Sequence, residues 1–150
     1  MGSEKKHTAR QLRIFSTTEN LELARQFVAE SARKHGFTQD DIDKITVAVD
    51  EACTNIIRHA YKKAPNKEID IEVRVEEPKR SPRKFMIIIE DHGAPFDPTT
   101  YRAPDLQNYF KEYRVGGLGI FLMNKLMDEV EYTTGPGQSN QIRLVKYLPS

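Results

Sequence analysis

The spacing of hydrophobic residues predicts five strands. Residues 11–16 alternate between apolar and polar well enough for a first strand, and residues 69–75 alternate strictly, so one face of that strand is buried and the other is wet. Residues 85–90 form an unbroken apolar run, which is typical of a central strand. Residues 129–133 and 141–147 have the composition of two further strands.

Helical spacing predicts two helices after the first strand. The first begins at Thr17 or Thr18 and ends at Gly36, a residue that commonly stops a helix. The second begins at Thr38 or Asp40 and runs to about residue 61. A third helix, over residues 121–127, follows a glycine-rich stretch.

The second helix carries polar residues beside its apolar stripe. Glu51 and Asn55 are four residues apart and therefore lie on one face, and His59 continues the row. An exposed Glu–Asn pair with a weak contact is one interpretation. The other is a general base beside an oxygen ligand for Mg²⁺, which phosphoryl transfer from ATP requires. The stripe that faces the core follows steps of three and four: Ile42, Ile45, Val49, Ala52, Ile56 and Ala60.

The order of elements predicts the fold class. The predicted order is one strand, two helices, two strands, one helix and two strands. This order favours an α+β two-layer sandwich, with the helices on one face of a mixed or antiparallel sheet. Residues 91–115 are rich in Pro, Thr, Tyr, Asp and Asn, with a short helix expected at 105–112. A segment of about 20 residues without regular structure is uncommon unless it is a lid or a binding loop.

Composition narrows the class of protein. The length of 150 residues predicts one domain. A content of 38% hydrophobic and 30% charged residues is typical of a soluble globular protein. A net charge of +1 argues against direct nucleic-acid binding, and the single Cys53 excludes an internal disulfide. No apolar run is long enough to span a membrane and no signal peptide is visible, so we expect a cytoplasmic protein without membrane contact. We expect residues 1–8 to be disordered.

Two further stretches carry candidate chemistry. In residues 114–120, three glycines lead into a helix and leave backbone N–H groups open to phosphate oxygens; a flexible turn is the alternative. Asp91 ends the central strand, where its carboxylate either accepts a hydrogen bond from an adenine amino group, with Gly93 letting the ring approach, or caps a turn through its own backbone.

Three segments in this order, 51–55, 91–98 and 116–120, resemble the ATP-binding boxes of the GHKL superfamily. Within this superfamily the chain resembles the anti-sigma factor serine/threonine kinases, and the resemblance extends from about Arg10 to Lys146. It implies the histidine-kinase-like (Bergerat) ATP-binding fold over residues 1–150, with ATP and Mg²⁺ as cofactors. It also implies a homodimer that binds a sigma factor and phosphorylates an anti-anti-sigma protein of the STAS type.

The resemblance also implies roles for individual residues. Glu51 would accept the proton of the attacking hydroxyl, and Asn55 would hold Mg²⁺ and phosphate. Asp91 would bind the adenine amino group, with Gly93 beneath the ring. The nucleotide would further be bound by the short lid that begins at Phe96 and by the start of the helix, through Phe96, Lys111, Arg114, Gly116, Gly117, Leu118, Gly119 and Ile120.

One departure leaves an alternative open. Residues 139–142 lack the Gly-Thr pair often found near the last strand, where the threonine helps bind adenine through water. We therefore expect weaker nucleotide affinity, and a catalytically weak or inert ATP-dependent protein-binding module is the alternative to a kinase. The catalytic fragment of a sensor histidine kinase is less favoured, since no phosphoacceptor helix precedes the boxes.

Overall fold

Five strands form one sheet. They are β1 (Arg10–Phe15), β2 (Glu68–Glu76), β3 (Lys84–Asp91), β4 (Glu129–Thr133) and β5 (Asn140–Tyr147), in the spatial order β1-β2-β3-β5-β4. Every neighbouring pair is antiparallel. The computed structural model describes residues 9–77, 79, 82–94, 115–133 and 139–149. The expectations for residues 1–8 and for a helix at 105–112 lie outside the described residues.

Among the described residues, three α-helices cover one face of the sheet: α1 (Leu21–Lys34), α2 (Gln39–Asn55) and α3 (Val115–Leu126). A 3₁₀ turn at Thr18–Asn20 precedes α1, and a π-helical turn at Ile56–Ala60 extends α2. Within the described part of the chain, each helix falls short of the length and apolar character that a bilayer crossing would need.

The helix boundaries have local causes. Thr38 caps α2, because its Oγ1 accepts a hydrogen bond from the Asp41 N–H at 3.2 Å. Gly36 follows α1 with φ at +86°, a conformation that glycine adopts without steric cost. Both signals were read correctly from the sequence, whereas the change to π geometry after Asn55 was not expected.

The main core lies between the helices and the sheet. Phe85, Ile87 and Ile89 of β3 face the helices and are fully buried, while Met86 and Ile88 form a small second cluster with Val145. Burial on both faces explains why β3 is an unbroken apolar run. The predicted α+β two-layer sandwich is therefore confirmed, and the sheet is antiparallel throughout the described strands.

Candidate functional site

The last turn of α2 presents two polar side chains to the start of α3. Glu51 and Asn55 are both partly buried, and no described residue forms a hydrogen bond or an ion pair with either side chain. After Asn55 the backbone widens, since the Tyr61 N–H donates to the Ile56 carbonyl at 2.9 Å, five residues back. Single π turns of this kind often occur at functional sites.

Gly119 is the point where α3 contacts this pair. A methyl group placed on Gly119 would lie 2.7 Å from Glu51 Oε2, and 3.5 and 3.6 Å from Asn55 Nδ2 and Oδ1. The absence of a side chain at Gly119 therefore lets the carboxylate and the amide approach the helix backbone closely.

The glycine-rich stretch is helical rather than a loop in front of a helix. Because α3 begins at Val115, Gly116, Gly117 and Leu118 lie in its first turn, where N–H groups have no intrahelical partner. Gly119 is the fifth residue of the helix, and an N–H at that position ordinarily pairs with the carbonyl four residues earlier. The structure shows close packing of Gly119 against Glu51 and Asn55.

The surroundings of Glu51 shift the pKa of its carboxyl. Burial raises the pKa of the Glu51 carboxyl above its usual value, the neighbouring Asp50 raises it further, and Arg58 partly opposes both. A carboxylate with a raised pKa and no partner among the described residues is a suitable proton acceptor. Cys53, on the same helix, is fully buried, and burial raises the pKa of its thiol to about 12, so this residue is an unreactive part of the core.

Asp91 is a buried carboxylate at the end of β3. Its Oδ1 accepts a hydrogen bond from the Gly93 N–H at 2.8 Å and another from Asn140 Nδ2 at 3.0 Å. Burial raises the pKa of Asp91, while these two hydrogen bonds and His92 act against that rise. The turn-capping interpretation is therefore correct for Oδ1, and it does not exclude a ligand at the other oxygen.

The turn after Asp91 packs directly against the end of the π segment. The Ala94 N–H donates to the Ala60 carbonyl at 2.9 Å, and the His92 N–H donates to the Tyr61 hydroxyl at 2.9 Å. A side chain on Gly93 would collide with the Ala60 backbone. Gly93 is thus required for close approach between two backbone segments.

A cavity of about 330 Å³ joins these parts. Its walls are mostly apolar, and its size falls in the range of small-molecule sites. Asn55 lies on its helical wall, and Asp91 and Asn140 lie together on the strand wall. A largely apolar slot with a few polar groups suits a flat heterocycle bearing a hydrogen-bond donor. The other lining residues are Ala52, Ile56, His59, Ala60, Ala94, Ile120, Met123, Tyr132, Gln141 and Ile142.

Comparison with known proteins fixes the family. Residues 14–146 match the family model of the histidine kinase-like ATPase domain. The chain belongs to this family. The resemblance drawn from the three boxes is thereby confirmed.

Similar members of the histidine kinase-like ATPase family are named serine-protein kinase RsbW. That of Bacillus subtilis is 33% identical over 143 residues, which cover 92% of this chain and 84% of that protein. That of Bacillus velezensis is 32% identical over the same shares. That of Halalkalibacterium halodurans is 31% identical over 131 residues, covering 85% of this chain and 76% of that protein.

The predicted site residues of this family member fall into three groups. Asn55, Asp91 and Ile120 line the cavity, and Glu51, Gly93 and Gly119 contact residues on its walls or adjoin them. Gly116, Gly117 and Leu118 belong to the first turn of α3. Phe96, Lys111 and Arg114, with the rest of the expected lid, lie outside the described residues.

Two residues of the site were missed from the sequence. Tyr61 supports the turn after Asp91, because its hydroxyl accepts from the His92 N–H and donates to the Glu68 carbonyl. Asn140 was noted only as a departure from a motif. Its position opposite Asp91 follows from the β3–β5 register, which the sequence of either strand alone does not specify.

Gly93→Ala is expected to destabilise the protein by about 1–3 kcal/mol, because the added carbon meets the Ala60 backbone rather than a flexible side-chain end. Thermal unfolding measures the effect, and a fall of roughly 2–4 °C per kcal/mol is expected for a chain of this size. His92→Ala is the matched control, since the side chain of His92 is exposed. An unchanged melting temperature for Gly93→Ala would show that the two segments are not in fixed contact.

Proposed function

We propose that this protein is an ATP-dependent serine/threonine kinase of the anti-sigma type, which phosphorylates an anti-anti-sigma partner with a STAS domain. One observation carries the proposal: the Glu51 carboxylate and the Asn55 amide meet the start of α3 at Gly119, beside a cavity whose strand wall holds the Asp91 carboxylate. Family membership and the kinase names of the relatives support it.

In this proposal the cavity holds the adenine ring. The Asp91 carboxylate accepts a hydrogen bond from the amino group of the ring, and Gly93 lies beneath the ring plane. The phosphates lie toward the leading N–H groups of α3, at Gly116, Gly117 and Leu118, where a helix start favours negative charge. Lys111, Arg114 and Phe96 are proposed as further nucleotide contacts.

The reaction centre lies on α2. Glu51 takes the proton from the serine or threonine hydroxyl of the partner as that oxygen attacks the γ-phosphorus, and the bond to the β–γ bridging oxygen breaks to release ADP. Asn55 supplies an oxygen ligand of the kind Mg²⁺ prefers, and no described side chain competes for it. When bound, Mg²⁺ neutralises charge on the phosphates.

Regulation by partner switching is part of the proposal. The protein would bind a sigma factor, and would release it for the STAS partner when that partner is unphosphorylated. A homodimer is proposed from the resemblance, and light scattering coupled to size-exclusion chromatography would show a mass near twice 17.3 kDa. A monomeric mass across the concentration range would overturn the dimer without affecting the kinase assignment.

The deciding experiment is incubation of the purified protein with radiolabelled ATP, Mg²⁺ and the STAS protein encoded nearest to it. Transfer of label to a single serine or threonine of that protein is the expected result. The second candidate function is an ATP-dependent binding module without turnover, which the missing Gly-Thr pair at residues 139–142 leaves open. Nucleotide binding with no labelled product across several STAS proteins would support that alternative.

As the pH is lowered, kinase activity is expected to fall at a pH above the usual pKa of a glutamate. Burial raises the pKa of Glu51 from its ordinary value of 4.5, so the base becomes protonated, and inactive, at a higher pH than a solvated carboxylate would. Transfer rates at saturating ATP, measured from about pH 4 to pH 8, show where activity falls. A transfer rate that stays constant as the pH is lowered to the ordinary glutamate pKa of 4.5 would contradict the assignment of Glu51 as the base.

A further inference from the structure

Asn140 joins the end of β3 to the turn that follows it. It is the first residue of β5, stands directly opposite Asp91 in the strand register, and is 8% exposed. Its Nδ2 lies 3.0 Å from Asp91 Oδ1, 3.1 Å from the Gly93 carbonyl oxygen and 3.3 Å from the Ala94 carbonyl oxygen. One amide group therefore holds a carboxylate and two backbone carbonyls together.

These contacts leave the two oxygens of Asp91 in different situations. Oδ1 accepts from both the Gly93 N–H and Asn140 Nδ2, whereas no described residue donates to Oδ2. Two donors on one oxygen fix the rotation of the carboxylate about its last bond. Since Asp91 and Asn140 both line the cavity, the fixed carboxylate offers Oδ2 as the acceptor for a ligand donor.

We propose that Asn140 is a positioning residue that sets recognition of the adenine amino group by orienting Asp91, an inference that rests on the proposed function. An NH₂ group carries two hydrogens and serves several acceptors, whereas a hydroxyl in its place donates only one. Asn140 thus compensates for the missing threonine of the Gly-Thr pair through direct contacts with Asp91 and the turn. Nucleotide affinity depends on this residue rather than being weakened by it.

The charge state of Asp91 gives a second readout. The charged neighbours of Asp91 are Glu90 and His92, which adjoin it in the chain, and Tyr61 lies beyond the π segment. His59 lies on the opposite cavity wall. The hydrogen bond from Asn140 lowers the pKa of Asp91 against the effect of burial. Its removal raises that pKa, so the protonated carboxyl, which cannot accept equally well, forms at a higher pH.

The experiment compares two nucleotides on the full chain. Dissociation constants are measured by titration calorimetry for Mg-ATP and for the Mg complex of purine riboside triphosphate, which lacks the amino group. Asn140→Ala should weaken ATP binding about tenfold, and the analogue by less than about threefold, because only ATP donates to Asp91. Asn140→Thr, with one donor, should fall between wild type and Asn140→Ala for ATP.

Ser139→Ala is the matched control. It removes the hydrogen bond from Ser139 Oγ to Glu90 Oε2 on the other face of the sheet, so both affinities should stay unchanged. The dissociation constant of Asn140→Ala for Mg-ATP, divided by that of the wild type, should also increase as the pH falls. Titration of the ATP phosphates affects both proteins equally and therefore cancels in this ratio.

Three results would overturn the inference. Equal weakening of both nucleotides by Asn140→Ala would assign Asn140 a structural role only. Unchanged ATP affinity in both Asn140 variants would show that Asp91 needs no positioning. Wild-type protein that binds neither nucleotide would refute the proposed function and this inference with it, whereas the first two results leave the kinase proposal standing.

Discussion

Glu51→Gln is expected to lower phosphate transfer to the partner by about 10²- to 10⁴-fold while ATP affinity stays within about threefold. Gln keeps the size of the side chain but cannot accept a proton from the attacking hydroxyl. Single-turnover transfer of label from ATP gives the rate, and calorimetry gives the affinity. A wild-type transfer rate in this variant would show that Glu51 is not the base.

The same substitution is expected to stabilise the protein without nucleotide. A carboxyl whose pKa is raised in the folded state is ionised at neutral pH at a cost to stability, and that cost disappears as the pH falls through the raised pKa. Glu51→Gln should therefore melt at a higher temperature than wild type at neutral pH, with the difference shrinking on acidification. Lost activity together with gained stability would distinguish a functional carboxylate from a structural one.

Asp50→Asn is the matched control for the charge. Asp50 is the preceding acidic residue, but its Oδ1 is held at 2.7 Å by Arg25 Nη1 of α1, away from the contact with α3. This variant should retain transfer within a few-fold of wild type, because it removes only a partly exposed ion pair outside the site. A loss as large as that of Glu51→Gln would show that the helix, rather than one carboxylate, is being perturbed.

The sequence predicted the layers of this fold because each element carries its own period. β2 alternates with period two and has one buried face, and the apolar stripe of α2 follows steps of three and four. Each element can therefore be predicted from its own sequence, without knowledge of the segment that packs against it. The Glu51–Asn55 pair could be predicted for the same reason. A four-residue spacing places two side chains on one face in any α-helix.

What the sequence did not predict depends on contacts between distant segments. The Asn140–Asp91 pair exists because β5 lies beside β3 in one particular register. The contact of Gly93 with Ala60 exists because the turn after β3 packs against the end of the π segment. A slip of one residue would move Asn140 to the other face of the sheet. The start of α3 was misplaced for another reason: glycines are weak helix formers, so propensity puts the boundary after them.

Gly119→Ala is expected to reduce transfer by about 10²-fold while the protein stays folded, because the added carbon would lie 2.7 Å from Glu51 Oε2 and must push the carboxylate aside. The displaced atom is the end of a flexible side chain, so the steric cost to stability is small. Alanine in place of a helical glycine favours the helix by up to about 1 kcal/mol, which should leave the melting temperature equal or higher. Asn55 would remain at ordinary contact distance, so ATP affinity should change little.

The double variant Gly119→Ala with Glu51→Gln tests whether Gly119 acts through Glu51. If it does, the two losses do not add, and the double variant transfers phosphate no more slowly than Glu51→Gln alone. Additive losses would instead mean that Gly119 affects the phosphates or the helix start independently of the base. Full activity of Gly119→Ala would mean that the Glu51 carboxylate is not used in the position where it meets α3. Single-turnover rates on the four proteins, measured with the same partner, separate these cases.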